Sequence, residues 1–209
     1  ETRVVVGASK DEVVTHLKSV APRAIAVHQE VRGGTGHAVK IALADYSGEG
    51  TVLVCAGDTP LLTGLTLSQL LSAHKASGAV ATVMTAEMPD PSGYGRVLKN
   101  SDGSLSRIVE EKDASPQEKQ VLEINSGVYI FAVGELKTAL AKVSTSNAQK
   151  EEYLTDVIAI LRGEGKKVAT FLIDDYTEAW GINDRSQLST CASIFNARIC
   201  DALMKSGVT

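Results

Sequence analysis

Short β-rich runs alternate with helical patterns over the first third of the chain, and this alternation constrains the fold more than any other feature. The predicted strand and helix pairs cover residues 3–6 and 10–20, 24–27 and 35–44, and 51–56 and 66–76. Units of this kind join parallel strands, because a strand needs a long crossover to return beside its predecessor in the same direction. The sequence therefore predicts an α/β fold.

The pattern changes after a further buried strand at 79–85. Glycine-rich turns and shorter strands at 95–99 and 105–110 follow, which indicates an antiparallel insertion. The main sheet is expected to resume with strands at 128–132 and 167–173, and helices at 134–143 and 153–162 lie between them. We therefore predict a Rossmann-like, three-layer αβα fold with a mixed, mostly parallel sheet.

Two helices carry distinctive signals. The helix at 66–76 is expected to begin with a capping box formed by Thr66 and Gln69 and to stop at Gly78. The last helix, at 184–205, places five residues near one face at helical spacing. They are Leu188, Cys191, Phe195, Ile199 and Leu203.

Composition excludes several classes of function. The 209 residues are 44% hydrophobic and 22% charged, which is ordinary for one globular domain, and the net charge of -4 argues against nucleic acid as a partner. No run approaches the roughly 18 apolar residues that span a bilayer, so no membrane association is expected. Cys55, Cys191 and Cys200 are too few and too irregular for a zinc cluster or a disulfide framework. We expect buried, reduced thiols in a cytoplasmic protein.

Asp58 follows a buried strand directly, in the segment Val52-Leu53-Val54-Cys55-Ala56-Gly57-Asp58-Thr59-Pro60. Open α/β sheets assemble their ligand crevice at such strand ends, so Asp58 is a candidate site residue. The same spacing fits a simple cap on the turn that Pro60 begins.

A glycine-rich segment, Gln29-Glu30-Val31-Arg32-Gly33-Gly34-Thr35-Gly36-His37-Ala38, precedes the second helix. Exposed backbone N–H groups there can approach a nucleotide closely. The segment matches neither the P-loop nor the dinucleotide-binding pattern, and a tight strand-to-helix turn explains it equally. His37 is interpreted as a packed or capping residue rather than a catalytic base.

Three further segments present polar groups suited to a hydroxylated ligand such as a sugar. They are Gly93-Tyr94-Gly95-Arg96, Ile108-Val109-Glu110-Glu111-Lys112-Asp113 and Ile124-Asn125-Ser126-Gly127. Taken separately, each also has a structural explanation: turn-forming glycines, a solvated charge cluster and a turn asparagine.

Seven segments occur in a defined order along the chain. They are Gln29 with Gly34-Thr35-Gly36-His37-Ala38, Gly57-Asp58-Thr59-Pro60-Leu61, Gly93-Tyr94-Gly95-Arg96, Ile108-Val109-Glu110, Ile124-Asn125-Ser126-Gly127, Tyr153-Leu154-Thr155-Asp156 and Gly181-Ile182-Asn183-Asp184-Arg185. In this order they resemble one family, the bacterial bifunctional N-acetylglucosamine-1-phosphate uridyltransferases and glucosamine-1-phosphate N-acetyltransferases (GlmU). The resemblance covers nearly the whole chain and falls in the N-terminal uridyltransferase, or pyrophosphorylase, domain.

The resemblance implies a nucleotidyltransferase fold and a Mg²⁺-dependent reaction. N-acetylglucosamine 1-phosphate would attack the α-phosphate of UTP in line, giving UDP-N-acetylglucosamine and pyrophosphate for peptidoglycan and lipopolysaccharide precursors. Asp58 and Asn183 would be the catalytic metal ligands. Oxygen donors from one carboxylate and one amide suit a hard cation that keeps waters and binds phosphates.

The resemblance also implies where the substrates bind. Gln29, Gly34 and Thr35 would hold the uracil. The residues that would surround the sugar and the phosphates are Tyr94, Gly95, Glu110, Asn125 and Asn183.

Domain boundaries follow from the same resemblance. Residues 1–183 would form the uridyltransferase domain without the family's first strand and Gly-rich phosphate loop, because the chain begins after that motif. Residues 184–209 would form a helix leading toward a left-handed β-helix domain that acetylates glucosamine 1-phosphate with acetyl-CoA. Full-length family members are expected to be homotrimers.

Two other functions stay open at this point. Another sugar-1-phosphate nucleotidyltransferase would share the core and the metal pair, and a non-catalytic nucleotide-sugar-binding module would fit a chain without the phosphate loop. Retention of both Asp58 and Asn183 favours an enzyme, since binding a sugar nucleotide alone needs no metal pair.

Overall fold

The computed structural model describes residues 1–208 and confirms each predicted strand and helix, with small shifts at most ends. The strands are β1 (Arg3–Val6), β2 (Ile25–His28), β3 (Thr51–Val54), β4 (Ala81–Glu87), β5 (Arg96–Lys99), β6 (Leu105–Val109), β7 (Glu123–Ala132) and β8 (Val168–Ile173). The α-helices are α1 (Lys10–Val20), α2 (Thr35–Ala42), α3 (Gly64–Ser77), α4 (Val133–Leu140), α5 (Leu154–Gly163) and α6 (Arg185–Lys205). Short 3₁₀ helices cover Glu118–Gln120 and Tyr176–Ala179.

The main sheet has six strands and is mixed, as predicted. Its order is β6-β5-β7-β4-β8. Strand β3 also pairs with β7, along residues 129–132, whereas β5 pairs with β7 at Ile124. The prediction that parallel pairing dominates is wrong, because β7 runs antiparallel between β3 and β4 and leaves β4 with β8 as the parallel pair of this sheet. Strands β3 and β4 still run in the same direction, as their helical crossover requires.

Strands β1 and β2 form a separate parallel pair, from Arg3 opposite Ile25 to Val6 opposite His28. The first residue after β2 is Gln29, whose backbone N–H donates to the Val6 carbonyl at 2.9 Å. This pair therefore delivers the glycine-rich segment to the start of α2.

Helices cover both faces of the main sheet, which confirms the three-layer architecture. Side chains alternate along each strand, so Val83 and Phe131 point into one core while Met84 and Ile130 point into the other. The first core packs against α2, α4 and α5, and the second against α3 and the 3₁₀ helix at Tyr176–Ala179.

Strand β7 is longer than the sequence indicated, since 124–127 reads as a turn but belongs to the strand. The register between β4 and β7 shifts between Val83 and Thr85, and Gly127 has a φ of 77°. A glycine in the left-handed region is typical of a β-bulge. Asn125 therefore lies within a strand and not in a turn.

Helix α3 begins two residues earlier than predicted. Thr63 is the N-cap, and its hydroxyl accepts from the Thr66 N–H at 3.2 Å, so the expected capping box at Thr66 is wrong. Glu178 also binds here, accepting from the Thr63 N–H and the Thr66 hydroxyl, both at 2.8 Å. The predicted stop at Gly78 is confirmed by its φ of 62°.

Helix α6 covers most of the 184–209 segment, of which Thr209 lies outside the described residues. Of its predicted apolar face only Cys191 is buried. Cys55 and Cys200 are exposed, so the expectation of buried thiols is wrong for both. None of the described helices has the length and apolar character that a membrane crossing requires.

Candidate functional site

The candidate residues collect along one edge of the main sheet. Strands β3, β4 and β8 point their carboxyl ends to this edge, and β7 starts there because it runs in the opposite direction. The turn with Asp58 follows β3, and the segment with Asn183 follows β8 and its 3₁₀ helix. Asn125, the third residue of β7, lies at the same edge.

Asp58 and Asn183 meet beside Gly181. A Cβ built on Gly181 would lie 3.5 Å from Asp58 Oδ2 and 3.9 Å from Asn183 Nδ2. Both side chains are exposed at this point. A larger side chain at Gly181 would therefore occupy the space between the two.

Backbone hydrogen bonds hold the two segments together. The Ile182 N–H donates to the Asp58 carbonyl at 2.9 Å, and the Asn183 N–H donates to Gln187 Oε1 at 2.6 Å. Asp184 caps α6 by accepting from the Gln187 N–H at 2.8 Å. Hydrogen bonds at the start of α6 thus help to fix the position of Asn183.

Tyr94 supports this arrangement from the other side. Its hydroxyl accepts from the Gly181 N–H at 3.2 Å, and burial raises the pKa of that hydroxyl. Tyr94 was predicted among the substrate-contacting residues, and its hydroxyl contacts the segment that carries Asn183.

The donor set at Asp58 and Asn183 fits a hard divalent cation. One carboxylate and one amide leave most coordination positions to water and phosphate oxygens, as Mg²⁺ requires. Among residues 1–208 no group of three or more His, Cys, Asp or Glu residues is arranged for metal binding. A cation bound by these two residues would therefore need further oxygen ligands.

Glu110 and Gly95 form the next part of the site. The Thr155 hydroxyl donates to Glu110 Oε1 at 2.9 Å. A Cβ on Gly95 would lie 3.3 Å from Glu110 Oε2 and 3.3 Å from the Ile108 side chain, so the space above Gly95 is narrow. Glu110 thus keeps one carboxylate oxygen available beside Gly95.

Asn125 lies next to Gly95 in this part of the site. Its backbone N–H is not available to donate to a substrate, because it donates to the Gly95 carbonyl at 2.8 Å. Its side-chain Nδ2 donates to the Tyr129 hydroxyl at 2.6 Å, and its Oδ1 accepts from the Gly127 N–H at 3.2 Å. These bonds orient the amide at the sheet edge.

The electrostatics of this part are acidic. Burial, with Asp156 and Asp113 nearby, raises the pKa of Glu110, while the Thr155 bond opposes the shift. Burial and Asp113 raise the pKa of Asp156, and burial beside Asp113 and Glu110 raises the pKa of Tyr153 to about 12. Such groups favour donors, including sugar hydroxyls and amides, over anions.

The glycine-rich segment forms a second part of the site. Gln29 Nε2 lies 2.9 Å from His37 Nδ1 and donates to the Gly34 carbonyl at 3.3 Å. Gly34 is the N-cap of α2 with a φ of 99°, and Thr35 is the first helical residue. Gln29, Gly34 and Thr35 therefore lie at one corner.

The segment before α5 connects the two parts. The Gly36 N–H donates to the Glu152 carbonyl and the Glu152 N–H donates to the Gly33 carbonyl, both at 2.7 Å. The Leu154 N–H donates to Thr35 Oγ1 at 3.1 Å, one residue before Thr155 binds Glu110. A Cβ on Gly36 would lie 2.9 Å from the Glu152 carbonyl oxygen, so this close approach requires glycine.

One continuous path of contacts therefore includes all of the predicted residues. It runs through Asp58, Gly181, Tyr94, Gly95, Glu110, Thr155, Leu154, Thr35, Gly34 and Gln29 by hydrogen bonds, chain neighbours and the close approaches at Gly181 and Gly95. Asn183 lies beside Gly181, and Asn125 joins the path at Gly95. Sequence reasoning assigned no role to Gly181, Tyr129, Glu152 or Thr155. Membership in the seven ordered segments was the available signal for Gly181 and Thr155, whereas Tyr129 and Glu152 carried none.

The chain matches the nucleotidyl transferase family over residues 4–181. Three relatives, each named Bifunctional protein GlmU, illustrate the similarity. The protein of Thermobifida fusca is 45% identical over 213 residues (100% of this chain, 44% of the relative), that of Streptomyces coelicolor 47% over 208 residues (98% and 43%), and that of Streptococcus pyogenes 45% over 210 residues (100% and 45%). The chain thus spans less than half the length of these curated relatives.

Solved structures share the fold. A UDP-glucose pyrophosphorylase complexed with UDP-glucose aligns with a TM-score of 0.68 at 15% identity, covering 94% of this chain and 80% of that one. HddC from Yersinia pseudotuberculosis aligns with a TM-score of 0.62 at 15% identity, covering 92% and 77%. These similarities confirm the nucleotidyltransferase fold.

Proposed function

The chain belongs to the nucleotidyl transferase family, and on that premise we propose that it is the uridyltransferase part of a longer cytoplasmic enzyme. Its reaction joins UTP and N-acetylglucosamine 1-phosphate into UDP-N-acetylglucosamine and pyrophosphate. The observation that carries the proposal is the single path of contacts from Gln29 to Asp58. The residues proposed for the base, the sugar and the phosphates all lie along it.

Each group of residues has a distinct task. Gln29, Gly34 and Thr35 hold the uracil, since a side-chain amide and a helix N-terminus supply donors and acceptors for its edge. Glu110 accepts a hydrogen bond from the sugar through the carboxylate oxygen that Thr155 leaves free. Gly95 provides space, because a Cβ there would meet Glu110 and Ile108 at 3.3 Å.

Asp58 and Asn183 hold a divalent cation, which we propose is Mg²⁺. When bound, the cation supplies positive charge that offsets the negative charge of the phosphates. The two residues are suited to this by their oxygen donors and by the free space beside Gly181.

The chemical step needs no protein nucleophile. A phosphate oxygen of the sugar phosphate attacks the α-phosphorus of UTP and forms a new P–O bond. The bond between that phosphorus and the oxygen bridging to the β-phosphate breaks, and the electron pair leaves with pyrophosphate. The chain's contribution is alignment of the two phosphates, because alignment removes most of the entropic barrier.

The proposal is tested by pyrophosphate release from UTP and N-acetylglucosamine 1-phosphate. The protein is the chain extended by the Gly-rich N-terminal segment that the resemblance implies. Turnover is expected with Mg²⁺ and not with EDTA, and Asp58→Asn is expected to reduce it by roughly 100-fold or more. Asp201→Asn, an exposed carboxylate paired with Lys205 on α6, is the matched control.

Other outcomes separate the remaining functions. Preference for glucose 1-phosphate or for another nucleotide would assign a different sugar-phosphate nucleotidyltransferase. Binding of UDP-N-acetylglucosamine without turnover, unaffected by Asp58→Asn, would assign a binding module. Full turnover by Asp58→Asn would remove the proposed role of the metal pair. The acetyltransferase activity and the homotrimer are proposals for the longer enzyme and do not rest on residues of this chain.

A further inference from the structure

The side-chain amide of Gln29 has a defined orientation. Its Nε2 lies 3.3 Å from the Gly34 carbonyl oxygen and 2.9 Å from His37 Nδ1. A carbonyl oxygen only accepts hydrogen bonds, so the amide must present an N–H to Gly34. The reversed amide would place Oε1 against another acceptor. The Gly34 carbonyl therefore favours the orientation in which the amide nitrogen faces this corner.

The orientation of the Gln29 amide in turn determines the tautomer of His37. Because the amide nitrogen carries no acceptor, Nδ1 of His37 must accept, and the ring proton of the neutral imidazole lies on Nε2. Both N–H bonds of the Gln29 amide are then used, one on Gly34 and one on His37. The amide keeps only Oε1, an acceptor, for a ligand.

Gly33 makes room for this ring. A Cβ on Gly33 would lie 2.8 Å from His37 Cγ and 2.9 Å from His37 Nδ1, too close for any real contact. The backbone of Gly33 is outside the left-handed region, so the requirement is for space and not for conformation. Any side chain at this position would move the ring away from Gln29.

We infer that His37 is a positioning residue for base specificity: it holds the Gln29 amide so that Oε1 faces the base. Uracil presents a donor, its N3–H, to such an acceptor. Cytosine presents an unprotonated N3, which would face Oε1 acceptor to acceptor. The inference rests on the proposed function, which puts uracil beside Gln29. It adds the group that selects uracil over cytosine.

The first test needs no ligand. Long-range ¹H–¹⁵N NMR on the full chain at pH 8, where histidine is ordinarily neutral, reports which ring nitrogen of His37 carries the proton. The expected result is a protonated Nε2 and an unprotonated Nδ1. A proton on Nδ1 would overturn the inference whatever the chain binds.

The second test compares UTP and CTP affinities by calorimetry on the full chain and on the extended protein. His37→Phe keeps a ring but loses the acceptor, and the UTP preference is expected to fall about tenfold. His37→Asn is expected to keep the preference, because its Oδ1 can occupy the position of Nδ1. Gly33→Ala should lower the preference as well, while Gly134→Ala, which meets open space on α4, should not.

The outcomes distinguish this inference from the proposed function. If wild-type protein prefers UTP and both His37→Phe and Gly33→Ala keep that preference in full, the inference is wrong and the proposed function stands. If wild-type protein binds neither nucleotide, or binds both equally, the proposed uracil site is wrong and the inference falls with it. Gly33→Ala covers the case in which His37→Phe does not fold.

Discussion

Thr155 and Glu110 are joined by a 2.9 Å hydrogen bond in which the threonine hydroxyl donates to Oε1 of the carboxylate. The two residues come from the start of α5 and the end of β6. Thr155 is buried, and burial raises the pKa of Glu110. The bond therefore stabilises a carboxylate that its surroundings disfavour.

Glu110→Gln should stabilise the fold at neutral pH and impair sugar binding. The pKa of Glu110 is higher in the folded than in the unfolded chain, so stability falls as pH rises from about 4.5 through the folded pKa. The variant escapes this loss, and its advantage at pH 7 should disappear near pH 4. Urea unfolding at both pH values measures it. The KM for N-acetylglucosamine 1-phosphate should rise about tenfold.

Thr155→Val should have the opposite effect on stability. Removing the hydroxyl leaves the buried carboxylate without its donor, so the variant should lose about 2 kcal/mol at pH 7. The loss should shrink near pH 4, where Glu110 is protonated in both states. An equal loss at both pH values in urea unfolding would mean that packing alone explains the effect.

Gly181→Val should greatly reduce turnover without unfolding the protein. Gly181 adopts no left-handed backbone, and a Cβ there already lies 3.5 Å from Asp58 Oδ2, so the valine methyls would enter the space between Asp58 and Asn183. Pyrophosphate release should fall by roughly 100-fold. Gly163→Ala, which meets open space at the end of α5, is the control for a glycine substitution. A fully active Gly181→Val would show that this space is not used.

Tyr94→Phe should weaken metal binding in a measurable way. The variant loses the acceptor for the Gly181 N–H and so loosens the segment that carries Asn183. The Mg²⁺ concentration for half-maximal rate should rise several-fold, with little change in KM for UTP. Mn²⁺ binding followed by electron paramagnetic resonance gives the same comparison without turnover. Unchanged Mn²⁺ affinity would show that Tyr94 does not support metal binding by Asp58 and Asn183.

His74 should make the fold less stable in mild acid. The ring is buried on α3, with Nδ1 2.8 Å from Thr82 Oγ1, and burial lowers its pKa. The folded chain then binds fewer protons than the unfolded chain below about pH 6.5, so stability declines as pH falls through that value. His74→Gln should flatten urea stability between pH 7.5 and 5.5. His16→Gln, on the exposed face of α1, should keep the wild-type slope.

The sequence was enough to predict the elements, because strand and helix periodicities are local properties. The ordered segments also predicted candidate site residues, and the structure connects their positions. Pairing was harder to predict. The rhythm of strands and helices indicated mostly parallel pairing, but β7 returns from far along the chain and inserts between β3 and β4. No local sequence pattern indicates that β7 will pair with β3 and β4.

The sequence by itself determined that Asp58 follows a strand and that Asn183 precedes a helix. Only the tertiary structure decided that the two meet beside Gly181, because that requires β3 and β8 to end at one edge of a sheet whose order the sequence does not state. His37 shows the same division. Its position in the chain favoured a packed or capping residue. Its partner in the structure is Gln29, and this contact depends on the space above Gly33 and on the carbonyl of Gly34. Side-chain periodicity encodes which face of an element is buried, but a hydrogen bond between distant elements depends on how those elements pack.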